Sequence, residues 1–260
     1  MATAPVLFIS HGAPTFALNP GLLGPNLGRI GAGLTDIRAV LVVSPHWQAR
    51  DVTVMTAAHP DTLHDFGGFP EALYRLTYPA PGAPEVALET AELLRDAGLH
   101  VTIDPARPFD HGAWVPMRFL LPDATVPVFQ VAMPHNLDTK GALALGKALR
   151  PLRERGVLIV GSGSLTHNLY EVRQTTDQAP YAIAFAEWTQ GRVLARDDQA
   201  LVDYRRMAPS AERAHPTEEH YLPLVVAAGA ALPGDTAELV PGGMTFGVLS
   251  MDSYAWRAAA

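Results

Sequence analysis

Short apolar runs closed by glycine, proline or a polar residue alternate along this chain with longer stretches of helical periodicity. The β-branched apolar runs predict strands at 5–10, 39–45, 51–57, 100–103, 126–132, 157–161 and 245–251. The helical patterns predict helices at 84–97, 112–120, 138–155, 179–195 and 218–231. The 84–97 segment is the best punctuated, with Pro84 in its first turn and Gly98 just past its last. Alternating strands and helices imply an α/β fold. The expected form is a single domain over 1–260, with a central, largely parallel or mixed sheet flanked by helices. In open sheets of this kind ligands sit beyond the carboxyl ends of the strands, so a site is expected there.

Two stretches break the alternation. Residues 11–38 are rich in glycine and proline, and residues 59–83 read HPDTLHDFGGFPEALYRLTYPAPGA. Both read as long irregular segments. Their aromatics and histidines favour a functional role over a spacer. No repeat, linker or charge block marks a second domain.

Composition narrows the chemistry. The chain has 260 residues, 19 basic and 26 acidic, for a net charge of −7. A general nucleic-acid binder would need a basic face, so that class is not expected. The absence of cysteine excludes disulfides, thiolate zinc sites, iron–sulfur clusters and a thiol nucleophile. No apolar run reaches membrane-spanning length, and Met1-Ala2-Thr3-Ala4 lacks the basic start of a signal peptide. A cytoplasmic protein is expected, with homo-oligomerisation left open.

Any metal must therefore be held by His, Asp or Glu, and there are ten histidines. His11 follows the strand at 5–10 and His46 follows the strand at 39–45. His167 follows VLIVGSGSLT, and His220 lies near the start of the last predicted helix, beside Glu218 and Glu219. One such histidine is most simply a hydrogen-bonded structural residue; three at strand ends suggest a shared mononuclear metal site. Imidazole suits Zn, Fe, Cu and Ni, and these residue types alone do not choose between iron and zinc.

The remaining histidines carry weaker signals. His111 follows Asp110, which offers an orienting or acid–base pair, or a simple helix cap with a packed histidine. His64 stands beside Phe66 and Phe69 in the second irregular stretch, in a substrate pocket or a surface loop. His215 precedes Pro216 and reads as extended backbone. His59, His100 and His135 look ordinary, although His135 ends a strand. GSGS at 161–164 matches neither the serine nucleophile elbow, nor a P-loop, nor a dinucleotide loop. It reads as a tight turn that carries His167 toward a cavity, with Ser162 and the loop amides free to bind a substrate oxygen.

Taken together, SHGAP at 10–14, VVSPHW at 42–47, HDFGGFPEALYRLTYPAPGAPE at 64–85, DHGAWVP at 110–116, GSGSLTHNL at 161–169 and HPTEEHYLPL at 215–224 form an ordered set spanning nearly the whole chain. The set resembles the class III extradiol ring-cleaving dioxygenases, in the DOPA 4,5-dioxygenase-like branch related to LigB. The 64–85 stretch is its most specific part. The resemblance implies a metal held by His11, His46 and His220, with His167 as a fourth ligand or the acid–base, and His111 nearby in proton transfer or oxygen binding. It implies one mononuclear ion, usually Fe(II) and in this branch also zinc. It also implies a catechol substrate opened with both atoms of O2. Trp47, Phe66, Phe69, Trp114, Tyr221 and His64 are candidates for the substrate wall. The chain departs from the family's more usual HGSP, SAHW and GSGN at Ala13, Pro45 and Ser164, which bears on the substrate rather than on the ligands. A zinc hydrolase and a non-catalytic metal-binding relative remain the alternatives.

Overall fold

The computed structural model describes residues 3–258; Met1 and Ala2 of the N-terminal stretch, and residues 259–260, lie outside it. The strands Val6–Ser10, Ala39–Val43 and Val157–Gly163 are buried along their whole length, as a sheet covered on both faces requires. They form the middle of a six-stranded mixed sheet. Its order is Val128–Gln130, Ala39–Val43, Val157–Gly163, Val6–Ser10, Ser253–Ala258, Asp235–Val240. The first four run parallel; Ser253–Ala258 is antiparallel to them, and Asp235–Val240 is antiparallel to Ser253–Ala258. Val6 stands opposite Ile159 on one side and Trp256 on the other, which fixes the register at the centre.

Most expected strands appear, with two differences. The runs at 51–57 and 100–103 become Val52–Met55 and Val101–Asp104, paired parallel with one another outside the main sheet. The run at 245–251 is not one strand. Phe246 and Gly247 adopt φ of 52° and 74°, which reverses the chain between Met244–Thr245 and Leu249–Ser250. The two antiparallel strands that complete the main sheet escape the pattern. Asp235–Val240 alternates buried and exposed positions over only six residues, as an edge strand does, and Ser253–Ala258 mixes serine and arginine with its aromatics.

The helices Pro84–Asp96, His111–Leu120 and Pro180–Leu194 agree with expectation. The helix expected over 138–155 stops at Leu149 and continues as a 3-10 turn, because Pro151 has no N–H to donate. The helix expected over 218–231 shortens to Leu222–Ala230, with Pro223 in its first turn. The stretch 11–38 is more ordered than its composition suggests, holding a 3-10 turn at Pro14–Ala17 and a helix at Leu23–Ala32. Three glycines and a proline in LGPNLGRIGA masked that helix.

Leu222–Ala230 is apolar all round and every residue is buried. It packs against the strands Val157–Gly163 and Val6–Ser10 and against the helix Thr139–Leu149. A buried ion pair closes one end of this core. Arg153 donates from Nε to Ala4 O (2.7 Å) and from Nη1 to Asp235 Oδ2 (2.5 Å) and Ala230 O (3.2 Å). One guanidinium thus ties the N-terminal segment, the end of the buried helix and the start of an edge strand. Among the described residues no helix is long and apolar enough to cross a membrane.

Removing the carboxylate would leave a buried, uncompensated cation. Asp235→Ala is therefore expected to lower the unfolding free energy by about 3–5 kcal/mol. Urea denaturation at pH 7 measures this, and a loss below about 1 kcal/mol, the range of an exposed pair, would contradict it.

Candidate metal centre

The carboxyl ends of the parallel strands open onto a cluster of five histidines. His11 leaves the end of Val6–Ser10, and Gly12 at φ 59° turns the chain away immediately behind it. His46 follows Ala39–Val43 by three residues, and His111 opens the helix His111–Leu120. His220 stands two residues before Leu222–Ala230, and His167 four beyond Val157–Gly163.

Glycines bring the last two elements together. A Cβ on Gly161 would lie 2.1 Å from Pro223 O, and one on Gly163 would lie 2.3 Å from His220 O. The strand continues straight through Gly161-Ser162-Gly163, which is thus no turn. Its glycines let the segment carrying His220 lie directly on the backbone, where Ser164 N donates to His220 O (3.0 Å). This corrects the expectation of a tight turn at GSGS.

Three of the imidazoles, His11, His111 and His220, have a hydrogen-bonded partner on the rear nitrogen. Ser162 donates its hydroxyl proton to Gly112 O, so its oxygen accepts from His11 Nδ1–H (2.9 Å). His11 Nε2 therefore carries the free lone pair, and it faces His46 Nε2 at 3.1 Å. Ser162 is spent on this contact and does not offer its hydroxyl to a substrate. Asp65 Oδ1 accepts from both the backbone N and Nδ1 of His111 (3.0 and 2.9 Å), and Oδ2 lies 3.9 Å from His46 Nδ1. Glu219 Oε1 accepts from His220 Nδ1 at 3.1 Å. Carboxylates or hydroxyls on the rear nitrogen are the usual way a protein fixes the tautomer of a metal-ligating histidine.

The spacing suits a single ion. Two nitrogens bound at about 2.0–2.1 Å stand about 2.9–3.4 Å apart for angles between a right angle and the tetrahedral value. The 3.1 Å between His11 and His46 falls in that range. For ring centres the same geometry gives about 4.5–5.5 Å. His11–His46 and His46–His220, at 5.1 Å each, fall within this range and His11–His220, at 5.6 Å, just above it; with His111 the spacings are 5.4 Å to His11 and only 3.9 Å to His46. Nitrogen reach groups the histidines differently, with His11, His46 and His111 in one set and His167, Glu219 and His220 in another. Ring spacing and nitrogen reach agree on His11 and His46 and differ on whether His220 or His111 joins them. His167 lies flat against His220, with centres 3.5 Å apart and planes 10° apart.

Burial favours the neutral form of His11, His46, His167 and His220. It pushes His11 and His220 well below the usual histidine value, reinforced by the neighbouring imidazoles. Burial, then the charge His111 would carry, lowers His46 to about 3 although Asp65 opposes this. Burial lowers His167 to about 4 against the pull of Glu219. Burial alone would raise Asp65, but the hydrogen bonds and charge of His111, followed by the charge of His46, bring it below the ordinary carboxylate value.

The other expected site residues divide. Phe66 stands beside His111 (5.7 Å), with Phe69 and His64 against it (5.4 and 5.7 Å). His64 Nε2 donates to Leu76 O, which fixes the loop. Trp114 is fully enclosed beneath them, its indole N–H bonded to Leu63 O. Trp47 is buried under the Arg107 guanidinium (5.1 Å). Tyr221 does not face the cluster. Its ring stacks on Tyr204 (3.9 Å) and its hydroxyl donates to Leu201 O, so the expectation of a substrate contact is corrected to core packing. Asp110 caps its helix on Ala113 N, and Ser44 Oγ and Gln130 Nε2 donate to it. His215 is fully buried against Phe185, Tyr204 and Tyr221, with Nε2 on Leu165 O. His59, His100 and His135 are exposed. Asp65 went unread although it directly follows His64. The available signal was an acid inside the histidine- and aromatic-rich HDFGGF.

Comparison with known proteins identifies the family. Residues 28–254 match the model of a family described as the catalytic LigB subunit of aromatic ring-opening dioxygenase. The chain is 38% identical over 254 residues to a 4,5-DOPA dioxygenase extradiol of Beta vulgaris, covering 95% of this chain and 94% of that protein. It is 36% identical over 253 residues to one of Escherichia coli K12, covering 95% and 92%. The crystal structure of an uncharacterized E. coli K12 protein superposes with a TM-score of 0.81 at 30% identity, covering 97% of this chain and 99% of that one.

Two outcomes are expected. Ser162→Ala removes the acceptor of His11 Nδ1–H and should weaken metal affinity roughly 10- to 100-fold, read by competitive chelator titration; unchanged affinity would contradict the orienting role. The second concerns pH. Because His46, His167 and His215 titrate at about 3, 4 and 3 when folded, the unfolded chain takes up protons first as pH falls below about 6.5. Each then removes about 1.4 kcal/mol of stability per pH unit, all of it present above pH 6.5. Urea midpoints of metal-free protein should be level from pH 8 to 7 and fall steadily from 6.5 to 5; a level midpoint down to pH 5 would refute this.

Proposed function

The chain belongs to the LigB family of aromatic ring-opening dioxygenases, and from that premise we propose how its residues open a catechol. It is an oxidoreductase of the extradiol type, acting on a small aromatic substrate with O2. We assign the substrate to small catechols of the DOPA kind, as the names of its relatives suggest, and residues 1–260 to one catalytic domain.

His11, His46 and His220 would hold the metal; their ring spacing of 5.1, 5.1 and 5.6 Å is the observation that carries the reading. Fe(II) suits the oxygen chemistry better than Zn(II), which cannot exchange electrons. When bound, the ion would acidify the catechol hydroxyls and supply the electrons that activate O2. Everything else falls to the side chains. His167, neutral near pH 7, accepts a catechol proton and returns it to the opened product. His111 presents Nε2 toward the cluster while Asp65 holds Nδ1–H, so a proton arriving at Nε2 makes an imidazolium paired with a carboxylate. Phe66 lines the approach beside His111 and keeps water from that face. A hydrolase needs no O2 and is disfavoured by the family assignment.

Protein loaded anaerobically with Fe(II) should consume O2 and form a yellow ring-opened product from at least one member of a catechol panel. Absence of both across the panel sinks the reading. His167→Ala should lose turnover by roughly 10²–10⁴-fold while retaining the metal. His220→Ala should lose the metal and His111→Ala should keep it; the reverse pattern would move the third ligand to His111.

A further inference from the structure

We infer that a cavity beside the turn after His11 is a subsite for an anionic tail on the aromatic substrate, selected by Arg173. The inference rests on the ring-opening reading. The cavity measures about 460 Å³ and contains none of the clustered histidines. It begins at Ala13, two residues beyond His11, and two residues of chain span at most about 7 Å. The chain reaches it through Gly12, whose left-handed conformation turns the backbone there. The Met251 thioether packs where a Cβ on Gly12 would lie and forms part of the cavity wall. A ring held at the histidines would extend a flexible tail past Gly12 into this space.

The lining explains the charge preference. Phe16, Phe246 and Met251 supply an apolar wall. The polar part consists of amides, hydroxyls and one ionic group, Arg173, with no carboxylate in the lining. That is unusual in a chain of net charge −7. Among the described residues Arg173 makes no ion pair. Glu171 and Asp177 border the other side of the same loop, in a hollow of about 260 Å³ that Arg173 also touches. Glu171 is already engaged by Arg213 through two contacts of 2.7 and 2.8 Å. The guanidinium is therefore free for a carboxylate, which it can grip with two parallel N–H donors.

The loop is also held in place. Arg173 N donates to Phe246 O (3.1 Å) and Ala179 N to Gly247 O (2.8 Å), so both ends are fastened to the 244–250 hairpin. Ala13 now has a location. It lies in this wall, where its small apolar side chain offers no hydrogen bond and leaves Arg173 as the group that reads the tail.

The test is binding without turnover. Fe(II)-loaded protein, kept anaerobic, is titrated by calorimetry with 3-(4-hydroxyphenyl)propionate and with neutral 4-propylphenol. The wild type should prefer the anion by roughly 10- to 100-fold. Arg173→Gln should abolish that preference without weakening the neutral phenol, and Arg173→Lys should retain part of it. Equal affinities in the wild type, or a preference that survives in Arg173→Gln, would overturn the subsite. In turnover, Arg173→Gln should raise KM for carboxylated catechols with kcat little changed. Ring opening without anion preference defeats the subsite alone. Arg173-dependent anion binding without ring opening of any catechol supports the subsite and defeats the proposed reaction.

Discussion

Several imidazoles can share one buried space only while they are unprotonated, and the architecture around the site follows from that requirement. Charged rings with centres 3.5–5.6 Å apart would repel one another in a region with little water. Burial therefore sets the protonation state, and the partners Ser162, Asp65 and Glu219 set the tautomers. Parallel strands suit this arrangement, because their ends all point the same way and each can deliver one side chain. Ser253–Ala258 runs the other way beside them, and Asp235–Val240, antiparallel to it, closes that side of the sheet.

How much of this was legible depends on the range of the interaction. A histidine that follows a buried apolar strand is a local signal, and His11 and His46 could be read from a few residues each. The partners of the inner rings could not. Ser162 is 151 residues from His11, and Asp65 is 46 from His111, so no window of sequence contains both members. Aromatic neighbours misled for a related reason. Tyr221 and Trp47 adjoin His220 and His46 on the chain, but adjacent side chains point in different directions, one to the site and one to the core. Local composition misled where it imitated a loop. The glycines of LGPNLGRIGA hid a helix, and those of GSG suggested a turn where close packing against His220 was the reason for them.

The two descriptions of the ligand set come from different physics. The motif-based reading and the ring spacing both favour His220, while the nitrogen positions alone favour His111. Both candidates have a carboxylate on the rear nitrogen, so orientation does not separate them. The close approach of His46 and His111, with centres 3.9 Å apart, is the observation on the side of His220. The match to the family model begins at residue 28 and so omits His11, but the alignments to individual relatives cover 95% of the chain.

The register of the first strand has a consequence for how the protein is made. Val6–Ser10 pairs on one side with Val157–Gly163 and on the other with Ser253–Ala258, and Ser10 is bonded to Ser253, 243 positions away. During synthesis the strand that ends in His11 leaves the ribosome long before Ser253–Ala258, the strand that covers its second flank. Until then it presents an unpaired edge, the kind of surface on which nascent chains aggregate. A contact of such sequence separation also forms slowly, because loop closure must precede it. The histidine cluster is thus completed only after a segment more than two hundred residues downstream of His11 has been made.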